Sequence, residues 1–229
     1  MSGGGTGIIN FPIFLSLGIP IPLILSMGSL NGVFWVLPAS RNYLKGRKID
    51  WKFLIIFSLI GLVGTYFSIK AAINTSQRAF EIFVGSIILV LVTYTYFKKD
   101  LGLVEKKTYS KFRQALAYPF ALLIGFYENF FGSGNGIVFS LMGYYTKGFD
   151  FIDSLGHYYL ACFPWLVFGS YLFISKGYFD FWLMSFGIIG SLIGSYFGSK
   201  YARYKGNKFI KILLVIIGGI LGLKLLFGL

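Results

Sequence analysis

One cysteine, one histidine and eight acidic residues are all that this chain of 229 residues contains. A lone thiol, Cys162, closes no intrachain disulfide and builds no cysteine metal site. A lone histidine, His157, excludes His-rich metal chemistry. No nucleophile–base triad, phosphate-binding lysine motif or cluster of metal ligands is visible, so catalysis is a poor reading and no cofactor is expected. Charged residues are only 13% of the chain, about half the share in a soluble domain. No linker is long enough for a soluble domain. Met1 runs straight into a glycine cluster, so no cleavable signal peptide is expected.

What the chain has is apolar length. The hydrophobic fraction is 56% and the mean hydropathy is +0.73. Apolar segments run over Gly7–Leu17, Leu23–Ala39, Phe53–Ala72, Phe80–Phe97, Ala115–Phe131, Ile137–Tyr145, Ser154–Ile174, Phe181–Ser199 and Phe209–Phe227. Such runs read as an all-α polytopic membrane protein, because in lipid the backbone must satisfy its own hydrogen bonds. Thirty glycines suit close helix packing. Pro38 and Pro164 fall inside two of the segments and are expected to kink them.

The sequence also repeats itself about 130 residues apart. Gly3-Gly4-Gly5-Thr6-Gly7 is matched by Gly132-Ser133-Gly134-Asn135-Gly136, and a short apolar run follows each. Gly64 to Lys70 aligns without a gap on Gly194 to Lys200, with four of seven positions identical. Asp50 and Asp180 share that offset. The segment Ile137–Tyr145 is too short to cross a core of about 30 Å. With Ala115–Phe131 it predicts a re-entrant hairpin tipped by glycines inside the membrane. The first repeat begins at its glycines, so its first hairpin arm is read as missing.

Charge sets the orientation. Basic residues concentrate in three loops: Arg41 to Lys52, Lys98 to Arg113 and Lys200 to Lys208. They hold fifteen of the 21 lysines and arginines, which places them in the cytoplasm. This loop pattern, together with the apolar composition, turns the net charge of +13 away from nucleic acid. The loop matching Arg41 to Lys52 in the second repeat, Lys176 to Asp180, is nearly uncharged. The weakly charged Lys70 to Arg78 matches the basic Lys200 to Lys208. A bias that changes sides between copies predicts inverted repeats, each a glycine-tipped re-entrant element plus three spans. The expected divisions are 1–99 for the first repeat, 100–113 for a cytoplasmic linker and 114–229 for the second.

Two related halves around a midplane point to a secondary transporter. The glycine tips, Gly5, Thr6 and Gly7 against Ser133, Gly134, Asn135 and Gly136, offer backbone N–H groups and helix starts suited to a small anion. Tight packing is their plainer role. Glu128 and Asn129 lie one turn before the second tip. An intramembrane carboxylate is costly and marks a functional site by default, so Glu128 is the coupling candidate, with protons as the possible coupling ion. Ser26, Ser29 and Asn31 fall early in one span, and His157, followed by Tyr158 and Tyr159, falls at the matching stage of the other. Interhelical hydrogen bonding is their alternative role.

The stretch Gly125-Phe126-Tyr127-Glu128-Asn129-Phe130-Phe131-Gly132-Ser133-Gly134-Asn135-Gly136 resembles the TauE/SafE family, also called TSUP, of sulfite and sulfonate permeases. Leu30-Asn31-Gly32, Asn42 to Gly46 and Gly190 to Lys200 extend the resemblance. It implies a multi-pass permease of the cell (inner) membrane for a small sulfur oxyanion or organosulfonate. Members carry lysine where this chain has Ser29, a second lysine near Tyr159, Asp at Glu128 and Gly at Asn129. Those departures leave an anion with backbone N–H groups, hydroxyls and His157. A passive anion channel on the same scaffold is the alternative, followed by a membrane enzyme using Glu128 and His157. The oligomeric state stays open.

Overall fold

The computed structural model describes residues 10, 14, 17–72, 77–103, 109–130 and 134–228. The described residues form eight helices and no strand: α1 (Ile21–Leu44), α2 (Trp51–Ala72), α3 (Gln77–Phe97), the short α4 (Lys111–Ala115), α5 (Ala117–Phe130), α6 (Asn135–Thr146), α7 (Phe151–Ser175) and α8 (Phe181–Phe227). Four of them, α1, α2, α7 and α8, are long and apolar enough to cross a membrane. The chain is thus an all-α, multi-pass membrane protein. The segment Gly7–Leu17 lies largely outside the described residues.

The expected segments Phe181–Ser199 and Phe209–Phe227 are the two helical arms of α8, which are separated by a break at Gly206. Residues 200–205 carry Lys200, Arg203 and Lys205 yet stay helical, because only Gly206 adopts a non-helical backbone (φ 82°, ψ −177°). That left-handed φ suits glycine and folds α8 back on itself. The helices α1 and α7 continue through Pro38 and Pro164.

Side-chain bonds show which helix ends lie together. At one end, Arg203 donates to the Lys45 carbonyl at 2.6 Å, and Asn207 to the Leu103 carbonyl at 3.0 Å. Lys211 reaches the Lys98 and Lys99 carbonyls there. The three basic loops therefore meet on one face. At the other end, Ser26 donates to the Tyr178 carbonyl, and Arg78 caps the Leu225 and Leu226 carbonyls.

Helices α5 and α6 form a hairpin rooted at the basic face. Lys147, just past α6, donates to Gln114, just before α5, at 2.7 Å. At 14 and 12 residues, they are about 21 and 18 Å long, short of the roughly 30 Å core. Their junction therefore sits inside the bundle. Glycines bring α5 hard against α2: a Cβ added at Gly125 would strike the Gly61 backbone, and one at Gly64 would meet Phe126 N at 2.7 Å. Thr65 fastens this contact by donating to the Gly125 carbonyl at 3.1 Å. Small residues thus fix how deep the hairpin sits.

The repeat-matched pair Asp50 and Asp180 do the same local job. The Asp50 carboxylate accepts from Phe53 N at 3.0 Å, and that of Asp180 from Leu183 N at 2.9 Å. Each satisfies an otherwise orphaned N–H in the first turn of a long helix, α2 in one case and α8 in the other.

Candidate functional site

Two linked polar clusters sit at the tip of the hairpin, where α5 ends and α6 begins. In the first, Glu128 of α5 accepts from Asn135 Nδ2 of α6 at 2.6 Å and from the Tyr158 hydroxyl of α7 at 2.5 Å. Asn135 also donates to the Ile124 carbonyl at 3.1 Å, bracing the hairpin from within. All three side chains are buried. Glu128 lies eleven residues into α5, about 16 Å from its start at the basic face.

The second cluster is centred on Asn129. Its amide nitrogen donates to the Trp165 carbonyl of α7 at 3.3 Å and Thr65 Oγ1 of α2 at 3.4 Å. Its oxygen lies 3.0 Å from the Ser29 hydroxyl of α1, which also reaches the Leu25 carbonyl. Gly169 of α7 leaves room for this amide, since a Cβ there would stand 2.8 Å from Asn129 Cγ. Asn129 thus ties the hairpin to three spans. One turn beyond Thr65, the buried Ser68 hydroxyl has no hydrogen-bond partner among the described residues.

The other sequence-derived candidates fall elsewhere. Ser26 binds the Tyr178 carbonyl at the far end of α1. Asn31 faces Gly187 of α8, and its buried oxygen has no partner among the described residues. Tyr159 packs edge-on against Trp35, with ring centroids 4.9 Å apart. Gly134 has φ 92°, and a Cβ on it would meet Ile88 Cδ1 at 2.7 Å, so it makes a tight turn under apolar cover. Gly136 is buried beside it. Gly5, Thr6, Gly7 and Ser133 lie outside the described residues.

His157 is grouped with the basic face rather than with Glu128. Its Nε2 accepts from Asp50 N at 3.2 Å, which leaves Nδ1 to donate to the Asp153 carbonyl at 2.8 Å. The ring stacks on Phe149 at 4.3 Å. Around it, Arg47 pairs with Asp150 at 2.9 Å and Asp153 at 2.7 Å, and Lys147 pairs with Asp50 at 2.6 Å. Asn207 of α8 donates to Asp150 as well. Burial works against the Asp50 charge, but the hydrogen bonds from Lys147 and Phe53 N and the nearby positive charge outweigh it. The carboxyl is held below its ordinary value. These contacts close the basic face.

Tyr158 is the residue that sequence reading left out of the site. Only the phase of α7 separates it from the expected Tyr159: one step, about 100° of rotation, turns Tyr158 to the hairpin and Tyr159 to α1. The signal available in sequence was the tandem of two tyrosines opposite an intramembrane carboxylate. Thr65 and Trp165 carried no comparable mark.

The arrangement offers one buried carboxyl between an amide and a phenol, joined through consecutive residues to an amide that touches three spans. Among the described residues, no group of three His, Cys, Asp or Glu side chains could hold a metal ion. The family model described as "Sulfite exporter TauE/SafE" matches residues 1–225. The chain is 28% identical over 230 residues to "Probable membrane transporter protein ORF9" of Sinorhizobium sp, covering 97% of this chain and 85% of that protein. It is 29% identical over 236 residues to a "Probable membrane transporter protein" of Haemophilus influenzae, covering 98% and 88%. It is 23% identical over 233 residues to "Probable membrane transporter protein YdhB" of Bacillus subtilis, covering 99% and 94%. No solved structure matches the chain.

Proposed function

The chain belongs to the TauE/SafE family and is a membrane transporter rather than an enzyme, and from that premise we propose that it moves a small anion, a sulfur oxyanion or organosulfonate, by alternating access. The observation that carries the reading is the buried Glu128–Asn135–Tyr158 cluster at the tip of a half-membrane hairpin. Ionisable groups at that depth mark substrate or ion pathways. Broken helices near the midplane are where secondary transporters bind their cargo.

In this reading residues 1–99 and 114–229 are inverted repeats joined by a cytoplasmic linker, 100–113. Two observations support it. The repeat-matched Asp50 and Asp180 cap helices that start from opposite faces, and the basic loops gather at one face. Glu128 serves as the coupling group. It exchanges a proton when the cluster opens to water, and Asn129, Ser29 and Thr65 supply polar contacts for the cargo. Opening toward the cytoplasm separates Arg47 from Asp150 and Asp153, and Lys147 from Asp50.

The test is flux in proteoliposomes under an imposed pH gradient, with sulfite, thiosulfate, short sulfonates and carboxylates as cargo. Gradient-driven accumulation of one of the sulfur anions is expected. Flux that only dissipates a cargo gradient would identify a passive channel, and preference for the carboxylates would overturn the substrate class.

A further inference from the structure

An apolar groove of 660 Å³ separates α3 from the α5–α6 hairpin. That is the size of a small-molecule site, for which about 300–1,000 Å³ is usual. Its walls are Ile88 and Leu91 of α3, Leu123 and Tyr127 of α5, and Val138 and Met142 of α6. It reaches Asn135 at its inner end. At the basic face it is framed by Tyr94 and Tyr145, whose hydroxyls hydrogen-bond each other.

Two exposed cations stand on those tyrosines. Lys98 Nζ donates to Tyr94 Oη at 3.0 Å and lies 5.5 Å from the Tyr145 ring. Arg113 Nε donates to the Tyr145 carbonyl at 2.7 Å. Neither is paired with a carboxylate among the described residues. The groove thus runs from a positively charged, tyrosine-framed mouth at the cytoplasmic face into an apolar cleft ending near the bilayer middle. That polarity matches one kind of molecule: a negative phosphodiester at the membrane surface with a hydrocarbon tail pointing inward.

We propose that this groove is a binding site for one anionic phospholipid of the cytoplasmic leaflet. Lys98 and Arg113 hold its phosphate, and its acyl chain lies between α3 and the hairpin. The tail end lies against Asn135, so the lipid also keeps bulk water from reaching the Glu128 cluster sideways. Charge complementarity selects the occupant. A zwitterionic lipid would fill the same cleft but gain no net attraction at the mouth.

The experiment is native mass spectrometry of the full chain in mild detergent, titrated with dioleoyl phosphatidylglycerol or dioleoyl phosphatidylcholine. Because the tails are identical, any difference belongs to the head group. One phosphatidylglycerol per chain should be retained at least about tenfold more tightly than phosphatidylcholine, in keeping with roughly fivefold per surface cation. The double variant Lys98→Gln/Arg113→Gln should bring the two lipids level. Leu123→Trp, at an exposed position on the groove wall, should weaken both while the protein still melts cooperatively; if that variant misfolds, Val138→Trp tests the same wall. Equal retention of the two lipids by the unmodified chain would overturn the proposal. So would phosphatidylglycerol retention unchanged by both the charge and the groove variants. A dimer whose interface protects Leu123 would show that a second copy covers the groove, and would overturn it too.

Discussion

Replacing Glu128 by glutamine separates a coupling role from a bracing one. The carboxyl oxygen Oε2 accepts both Asn135 Nδ2 at 2.6 Å and the Tyr158 hydroxyl at 2.5 Å. Glutamine has the same shape and can present its amide oxygen to the same two donors. The structural cost should therefore be near that of weakening one buried hydrogen bond, about 1 kcal/mol. The transport cost is of another order. A gradient of about one pH unit supplies about 1.36 kcal/mol per proton, which can concentrate cargo about tenfold for one coupled proton. Without a group that exchanges the proton, that ratio falls to one at every imposed gradient, while cargo-for-cargo exchange continues. The assay is uptake into proteoliposomes with the membrane potential clamped and the internal pH varied. Glu128→Gln protein that still accumulates cargo with the unmodified pH dependence would refute the reasoning. A variant that melts several degrees lower, with the pH dependence of its residual uptake intact, would reduce Glu128 to a brace.

Substitutions at Gly169, Asp150 and Asp50 test the surroundings. Gly169→Ala should push Asn129 off its partners and cost about 3 kcal/mol through overpacking and lost hydrogen bonds, and the same change should cost far less in an Asn129→Ala background; thermal melts of the four proteins measure the difference. Asp150→Ala removes the cap of α7 together with acceptors for Arg47 and Asn207, for a loss of about 2–4 kcal/mol, whereas Asp150→Asn keeps the cap and should lose less. Thiol labelling of Cys162, the chain's single cysteine and a buried one, should be slowest in the unmodified protein, faster in Asp150→Asn and fastest in Asp150→Ala. Asp50→Asn keeps an oxygen for Phe53 N and removes only the charge facing Lys147. Because the folded Asp50 carboxyl titrates below its ordinary value, its stabilising contribution is complete above about pH 4 and is lost as pH falls through the folded value. The stability gap between unmodified and Asp50→Asn protein should therefore close with acidification, and a gap that widened instead would contradict the sign.

Most of the architecture was legible because it follows from apolar length and charge placement. The short helical hairpin of α5 and α6 came from a segment too short to span, and the shared basic face came from lysine and arginine counts. What stayed hidden was helical phase. Ser29 and Asn31 are two residues apart, which on a helix is about 200° of rotation. One therefore meets Asn129 and the other faces Gly187. Tyr158 and Tyr159 part company for the same reason. His157 was grouped with the site because the repeat alignment placed it there, and alignment fixes order along the chain but not depth in the membrane. Phe181–Ser199 and Phe209–Phe227 are separate helical arms, as apolar length predicts, and what the charges between them concealed is that the first arm stays helical up to the break at Gly206.

Helix α7 gives the two halves of the proposed cycle a common lever. Its first turn carries Asp153 and follows Asp150, which together hold Arg47 and Asn207 at the basic face. Eight residues past Asp150, about 12 Å along the axis, Tyr158 holds Glu128. Two turns further, the Trp165 carbonyl and Gly169 hold Asn129. Helix α7 packs on one side against α1 and on another against α2, and in the proposed cycle it moves as a unit between two packed arrangements. Releasing Arg47 lets the lower end of α7 swing and shifts Tyr158 relative to Glu128. Protonating or deprotonating Glu128 changes how strongly Tyr158 is held, and so biases the ion pairs below. Linkage makes this reciprocal. If α7 is the lever, Tyr158→Phe, which removes only the hydroxyl, should speed opening of the basic face even though it lies about 12 Å from Arg47's partner Asp150. Thiol labelling of Cys162 and the pH dependence of uptake should then change together. Faster labelling with unchanged pH dependence would mean that the gate and the carboxyl are independent, and the shared helix would be a scaffold only.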